Sequence, residues 1–174
     1  AQFWADTIMA IRKKNPETII EVLTPDFDGV EQYLNIVFNA KPDIFSHNIE
    51  TVKRLSSQVR SRAKYELSLD VLRQSAAKGL ITKSGIMVGL GEIEEEVIST
   101  MKDMKNVGCQ MLTIGQYLQP THDNLPVKEY ITPEQFDKYK RIGLELGFGN
   151  VESAPLVRSS YMAERSFVSS NICK

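Results

Sequence analysis

Apolar positions recur along this chain at two spacings, and blocks of one spacing alternate with blocks of the other. Trp4, Ile8 and Ile11 repeat at helical spacing within AQFWADTIMAIRKK, and Asn15-Pro16 stops that helix because proline lacks an N–H and clashes with the preceding turn. Thr18 to Leu23 (TIIEVL) then reads as a strand. After a turn over Pro25 to Gly29, Val30, Leu34, Val37 and Phe38 share one helical face. Pro42-Asp43 resets the chain for a short strand, Ile44 to His47. Tyr65, Leu69, Leu72 and Ala76 mark a longer helix that ends at Gly79, whose freedom at positive φ suits a helix stop. Ile81 to Leu90 reads as a third strand. Beyond Gly91, the acidic Glu92, Glu94, Glu95 and Glu96 sit where a helix N-terminus favours negative charge, and Val97, Met101, Met104 and Val107 carry the apolar face to Gly108. Met111 to Leu118 is the fourth strand.

Such alternation with short connections predicts an α/β fold of parallel strands joined by right-handed crossovers, either part of a βα-barrel or an open doubly wound sheet. A length of 174 residues suits one domain with a real core. The formal charge of -1 and the absence of a basic stripe argue against nucleic acid or a membrane surface as partner. No apolar run reaches membrane-spanning length, and Asp6 inside the opening helix argues against a signal peptide. The two cysteines, Cys109 and Cys173, are too few for a disulfide scaffold or an all-cysteine metal site, so a reducing compartment is the default. The chain opens directly on a helix with no methionine or lead-in, which reads as an N-terminal truncation of a longer protein.

Ligands in such folds sit at the carboxyl ends of the strands, so polar groups there are the candidates for chemistry. The first end carries Thr24, Asp26 and Asp28, the second Ser46-His47-Asn48-Ile49-Glu50, and the fourth Gln116 and Tyr117. The third strand has Lys83 and Ser84 in its first half and Gly89, Gly91 and Glu92 at its end. His47 and Asn48 either cap the following helix or bind a ligand. Lys83 needs company, because an internal parallel strand is buried on both faces. A carboxylate such as Glu50 is its structural explanation, and an anionic or polar ligand is its functional one. GLGE lacks the Lys and Ser/Thr of a phosphate-binding loop and reads as a turn. Cys109 is expected to be a small buried hydrophobe and His122 to be exposed. Glu152 to Ala163 (ESAPLVRSSYMA) has neither helical nor strand periodicity, and it places Arg158, Ser159, Ser160 and Tyr161 behind a proline.

The series PDFDG, SHNIETV, VRSRAKYELSL, TKSGIMVGLGE, LTIGQYLQPT, EYITPEQF and SAPLVRSSYMA, in this order, resembles the lipoyl synthases, a family of radical S-adenosylmethionine enzymes. The resemblance runs from about Ala1 to Ala163. It implies a partial TIM-like parallel βα-barrel over residues 1–150, followed by a segment, 151–174, that carries the Arg-Ser-Ser-Tyr motif. It further implies insertion of two sulfur atoms, at C6 and C8, into an octanoyl chain held on a carrier domain. The cofactors implied are S-adenosylmethionine and two 4Fe-4S clusters, one that reduces S-adenosylmethionine to a 5'-deoxyadenosyl radical and an auxiliary one that gives up sulfur.

By the same resemblance Asn48 and Glu50 match the ribose-holding positions, and Lys83, Ser84 and the Gly89 to Glu92 turn match a second cofactor-binding region. Ser160, with Ser159 as alternative, matches the serine ligand of the auxiliary cluster, steadied by Arg158. Implied partners are octanoylated lipoyl carrier domains (2-oxoacid dehydrogenase E2 subunits and the glycine cleavage H protein) and an electron donor such as ferredoxin or flavodoxin. The implied location is the cytoplasm, or a mitochondrion or plastid in a eukaryote. The departures are as informative: neither the CxxxCxxC nor the CxxxxCxxxxxC motif of the family is present, so this chain alone is expected to be inactive. Ala154 stands where the family often has glycine. Two other readings remain open here, a metal-free relative that only binds carrier domains and an aldolase-like barrel that uses Lys83.

Overall fold

The computed structural model describes residues 1–60 and 64–161. Cys173, the tail Arg165 to Lys174 and the last residues of ESAPLVRSSYMA lie outside the described residues. The opening helix α1 spans Gln2–Lys14 and buries Ala5 and Ile8, and the chain leaves it at Asn15 as the Asn-Pro pair requires. Five strands follow, β1 Glu21–Leu23, β2 Ile44–Ser46, β3 Ile81–Val88, β4 Met111–Gln116 and β5 Asn150–Ser153. Between them run α2 Glu31–Asn39, the single turn α3 Ser56–Val59, α4 Tyr65–Ala77, α5 Glu94–Asn106 and α6 Pro133–Glu145.

All neighbouring strands are parallel and lie in the order β1-β2-β3-β4-β5. A doubly wound sheet reverses its order at a switch point, whereas a barrel adds each strand beside the last. The strict sequential order is that of a segment of a βα-barrel. The sheet continues through residues 151–153, because β5 pairs with β4 from Met111↔Asn150 to Ile114↔Ser153. That fifth strand corrects the reading of Glu152 and Ser153 as outside regular structure.

Alternation along the strands sorts the side chains onto two faces. Ile86, Val88, Leu112, Ile114 and Val151 pack with Leu69 and Leu72 of α4, Met101 and Met104 of α5 and Phe136 of α6 in one apolar cluster. Phe45 and Val22 join Leu34, Val37 and Phe38 of α2 in a second. The helical faces anticipated from spacing are the ones buried except at two ends, where Ile11 of α1 and Val30 before α2 are exposed. The opposite, concave face carries Lys83, Gly85 and Met87 of β3 with Thr113 and Gly115 of β4, and there the polar residues gather. Among the described residues, no helix is long and apolar enough to cross a membrane.

His47, at the end of β2, turns to the helical side and is 1% exposed. Its Nδ1 lies 3.0 Å from the Thr24 carbonyl and its Nε2 3.0 Å from Ser68 Oγ of α4, so it ties two strand ends to a helix rather than capping one. Burial holds its pKa below the usual value, outweighing the opposing pull of the Thr24 carbonyl. An unfolded chain takes up this proton more readily than the folded one. The stability from a neutral His47 is therefore present above about pH 6.5 and lost as pH falls below it, by at most about 1.4 kcal/mol per pH unit. Urea unfolding from pH 7.5 to 5.5 is expected to show this decline and to show a flatter one in His47→Asn.

Candidate functional site

The site begins with an interruption of β2. His47 N–H donates to the Lys83 carbonyl, yet the next donor to β3 is Glu50 N–H, to the Gly85 carbonyl, so three steps on one chain match two on the other. Met87 N–H then donates to the Glu50 carbonyl at 2.8 Å. One extra residue in a ladder is a bulge, a device that re-aims side chains at the rim of a sheet. Glu50 closes it at φ 72, a left-handed conformation that costs a non-glycine residue free energy and commonly marks a working site.

Asn48 and Glu50 consequently sit together on the concave face. Burial pushes the Glu50 carboxyl up from its ordinary value, while the Arg60 guanidinium and the Asn48 amide pull it partly back. Arg60 Nη1 also donates to the Asn48 carbonyl at 2.9 Å, which anchors that cation beside the carboxylate. The Asn48 Oδ1 atom is buried without a hydrogen-bond partner. An unpaired buried acceptor is costly, and a donor brought by a ligand would satisfy it.

Two cavities meet at these residues. One, of about 430 Å³, is walled by Glu50 and Arg60 on one side, Met87 beneath, and Tyr117, Asp123 and Leu125 on the other. The second, of about 80 Å³, lies between Asn48, Glu50, Gly85, Thr113 and Gly115 and the loop residues Arg158 and Ser159. Glycine makes the second one possible. A Cβ on Gly85 would stand 2.5 Å from Thr113 Oγ1 and 3.0 Å from Asn48 Oδ1, and one on Gly115 would collide with the Val157 carbonyl.

That loop reaches the sheet because β5 hands over directly to it. Gln116 N–H donates to the Pro155 carbonyl, which folds residues 155–159 across the end of β4. Tyr161 N–H donates to the Arg158 carbonyl at 2.9 Å, closing a turn with Ser159 and Ser160 at its centre. Ser159 faces the small cavity beside Asn48 and Glu50, whereas Ser160 is exposed at the turn's outer side.

The remaining candidates line neither of these cavities. Lys83 is 1% exposed and donates to both Glu21 carboxylate oxygens, at 2.9 and 3.0 Å, so its partner is Glu21 and not Glu50. With both contacts made across β2, its ammonium is a floor beneath the cavities rather than a wall of them. Ser84 points to the opposite face, fully buried and without a partner. Glu92 closes its own turn, its carboxylate accepting from Gly89 and Leu90 N–H. Gly89, at φ 100, gives up its side-chain space to Gln116 and the Glu129 carbonyl. Sequence reasoning missed Arg60, Met87, Thr113 and Gly115. The alternation of Lys83, Gly85, Met87 along β3 was the signal available for one of these positions, Met87.

The residues fit S-adenosylmethionine better than they fit a cluster. An unsatisfied buried acceptor beside a carboxylate suits the adjacent hydroxyls of a ribose, and the larger cavity joins a cation, a carboxylate and apolar walls. A 4Fe-4S cluster needs thiolates. Cys109 is fully buried, its thiol pushed up to about 12 by burial, as expected of a small hydrophobe. Among the described residues no three His, Cys, Asp or Glu side chains converge on a metal-sized space. The described residues thus offer a cluster a serine oxygen and no thiolate.

Residues 2–104 match the Radical SAM superfamily. The chain is 58% identical over 163 residues to the lipoyl synthase of Flavobacterium psychrophilum, covering 93% of this chain and 56% of that protein. It is 60% identical over 165 residues to that of Bacteroides fragilis strain YCH46, covering 95% and 57%. To that of Treponema denticola it is 53% identical over 169 residues, covering 97% and 58%. The chain therefore spans somewhat over half the length of these relatives. Among solved structures, methylornithine synthase superposes with a TM-score of 0.61 at 16% identity, over 88% of this chain and 52% of that one, a likeness of fold.

Proposed function

The chain belongs to the radical SAM superfamily, and on that premise we propose that it forms the cofactor cradle of a lipoyl synthase, working together with cysteine motifs it does not itself contain. The observation that carries this reading is the meeting of Asn48 and Glu50 with Arg158 and Ser159 around one small cavity. It joins a ribose-type acceptor pair to the Arg-Ser-Ser-Tyr turn. When bound, S-adenosylmethionine and the clusters would supply hydrogen abstraction from unactivated carbon and the sulfur to replace it, at C6 and C8 of a carrier-bound octanoyl chain.

The chain's own residues bind and orient. Asn48 Oδ1 and the Glu50 carboxylate accept hydrogen bonds from the ribose hydroxyls. Arg60 offsets negative charge at the same wall, and Met87 and Tyr117 give the adenosyl group apolar surface from which water is excluded. Ser160, exposed on the outer side of its turn, would offer its oxygen to one iron of the auxiliary cluster; Ser159, turned into the cavity, is the alternative. A serine oxygen is a harder ligand than thiolate and holds that iron less firmly. The partners are octanoylated carrier domains and a small electron-transfer protein such as ferredoxin or flavodoxin, and the setting is the cytoplasm or, in a eukaryote, an organelle.

The test is made in a protein that joins these residues to both cysteine motifs. Ser160→Ala is expected to leave S-adenosylmethionine cleavage within about twofold while lowering the iron retained at the auxiliary site and sulfur insertion by about tenfold or more. Iron content, absorbance of the reconstituted clusters and product mass are the readouts. Full iron and full product from Ser160→Ala, with loss in Ser159→Ala, moves the ligand one residue; full iron and product in both removes the serine from the cluster.

A further inference from the structure

The larger cavity has a wall with an uncommon foundation. Residues 117–131 run as one long connection between β4 and α6, and Tyr117, Pro120, Asp123, Asn124 and Leu125 from it make half of the cavity's lining. Such a segment carries many backbone polar groups and little core of its own, so something must fix it. Near its start Tyr117 Oη donates to the Leu125 carbonyl at 2.8 Å. Its far end is held by Gln116.

Gln116 is 3% exposed and every bond of its amide goes to this segment. Its Nε2 donates to the Tyr117 and Glu129 carbonyls, each at 3.0 Å, and its Oε1 accepts from Ile131 N–H at 2.9 Å. The amide therefore joins the first residue of the segment to its last turn. Gly89 completes the fastening: its carbonyl accepts from Lys128 N–H at 2.9 Å and from Glu129 N–H at 3.3 Å, and a side chain on it would strike Gln116 Nε2. No nitrogen or oxygen of this amide is left over for a ligand. Gln116 lines neither cavity.

The geometry points to Gln116 as a positioning residue that, by spanning residues 117 and 129–131 over Gly89, sets the shape of the 430 Å³ cavity and with it the affinity for the adenosyl ligand. This inference rests on the proposed function, which puts the adenosyl group there. A ligand can sense Gln116 only through the wall it holds, because the two do not touch. Loss of the amide leaves two carbonyls and one N–H unpaired and lets the wall sample other positions, which a ligand must then reverse on binding.

The experiment is made in a protein that joins these residues to both cysteine motifs, and it compares the wild type with Gln116→Leu, Gln116→Glu and a control, Ser153→Ala, which loses the buried Ser153 Oγ to Phe136 carbonyl bond beneath α6. S-adenosylmethionine and S-adenosylhomocysteine are the probes, titrated by ligand-observed NMR, which registers weak binding. Amide hydrogen exchange over 117–131 and melting temperature are followed in parallel. Both Gln116 variants are expected to exchange faster across 117–131 and to bind the probes about tenfold more weakly, while Ser153→Ala lowers the melting temperature with little change in affinity. The inference is overturned if the Gln116 variants bind as the wild type does, or lose no more affinity than Ser153→Ala. If the wild type binds neither probe, the cavity is not an adenosyl site, and the proposed reading falls first and this one with it.

Discussion

Replacing Lys83 with alanine is expected to destabilise the folded chain by about 3 kcal/mol, the scale on which removing one partner of a buried ion pair acts. The ammonium is 1% exposed while Glu21 keeps 17%, so the loss falls on a carboxylate left with partial solvation as well as on the cavity where the lysine stem lay. The expected size sits at the lower end of the range for that reason. Lys83→Met with Glu21→Leu removes both charges and keeps volume, and it is expected to recover most of the loss, because two apolar side chains owe nothing to desolvation. Chemical denaturation of the two single variants and the pair supplies the cycle. Equal stability of Lys83→Ala and wild type would remove the pair from the barrel floor. The same burial bears on the aldolase-like alternative: an ammonium held by Glu21 at 2.9 Å is not presented to a carbonyl substrate, and borohydride is expected to trap no adduct.

Lys83 also shows where reading the chain alone succeeds and stops. A lysine in a buried parallel strand announces that it has a partner, but that partner stands 62 residues upstream, across an intervening strand. No spacing rule connects the two. The helical faces were legible because the core is large enough to demand them: Leu34, Val37 and Phe38, or Val97, Met101 and Met104, recur at the period of the helix and are buried. Four strands were legible for the same reason. The fifth, Asn150–Ser153, is short and carries one large apolar residue, Val151, so its alternation does not stand out from a loop.

The site was legible in type rather than in geometry. Asn48 and Glu50 drew attention as polar groups at a strand end, yet it is the bulge between His47 and Glu50 that aims both at one space, and a bulge leaves no mark in composition. Arg60 reaches the same wall from beyond α3, too far along the chain for any local pattern. Gly89 and Glu92 stood as cofactor-binding positions only through the family resemblance, the sequence itself reading as a turn before a helix start. Here the turn's own N–H groups take up the acid.

The second large effect concerns that pair of acceptors. Asn48 Oδ1 is buried and unpartnered, and Glu50 holds a strained backbone and a carboxyl that burial alone would keep protonated more readily than usual. Such costs persist only where something offsets them. The two acceptors, side by side, match the two donors of a ribose diol. Asn48→Ala removes one neutral hydrogen bond, and Glu50→Ala removes a charge-assisted acceptor together with a negative charge that Arg60 feels. Expected losses in affinity are about tenfold for the first and roughly a hundredfold for the second. Alanine at 50 keeps the backbone position but carries the same positive φ, so Glu50→Gln, which preserves shape, separates charge from strain.

The most direct measurement is the affinity for S-adenosylmethionine of a protein that joins these residues to both cysteine motifs, by ligand-observed NMR, in wild type, Asn48→Ala and Glu50→Gln at matched folded fractions. Binding by the wild type that weakens about tenfold in each variant is the expected result. Equal affinity across all three, with the fold intact, would contradict the assignment of this cavity to the cofactor.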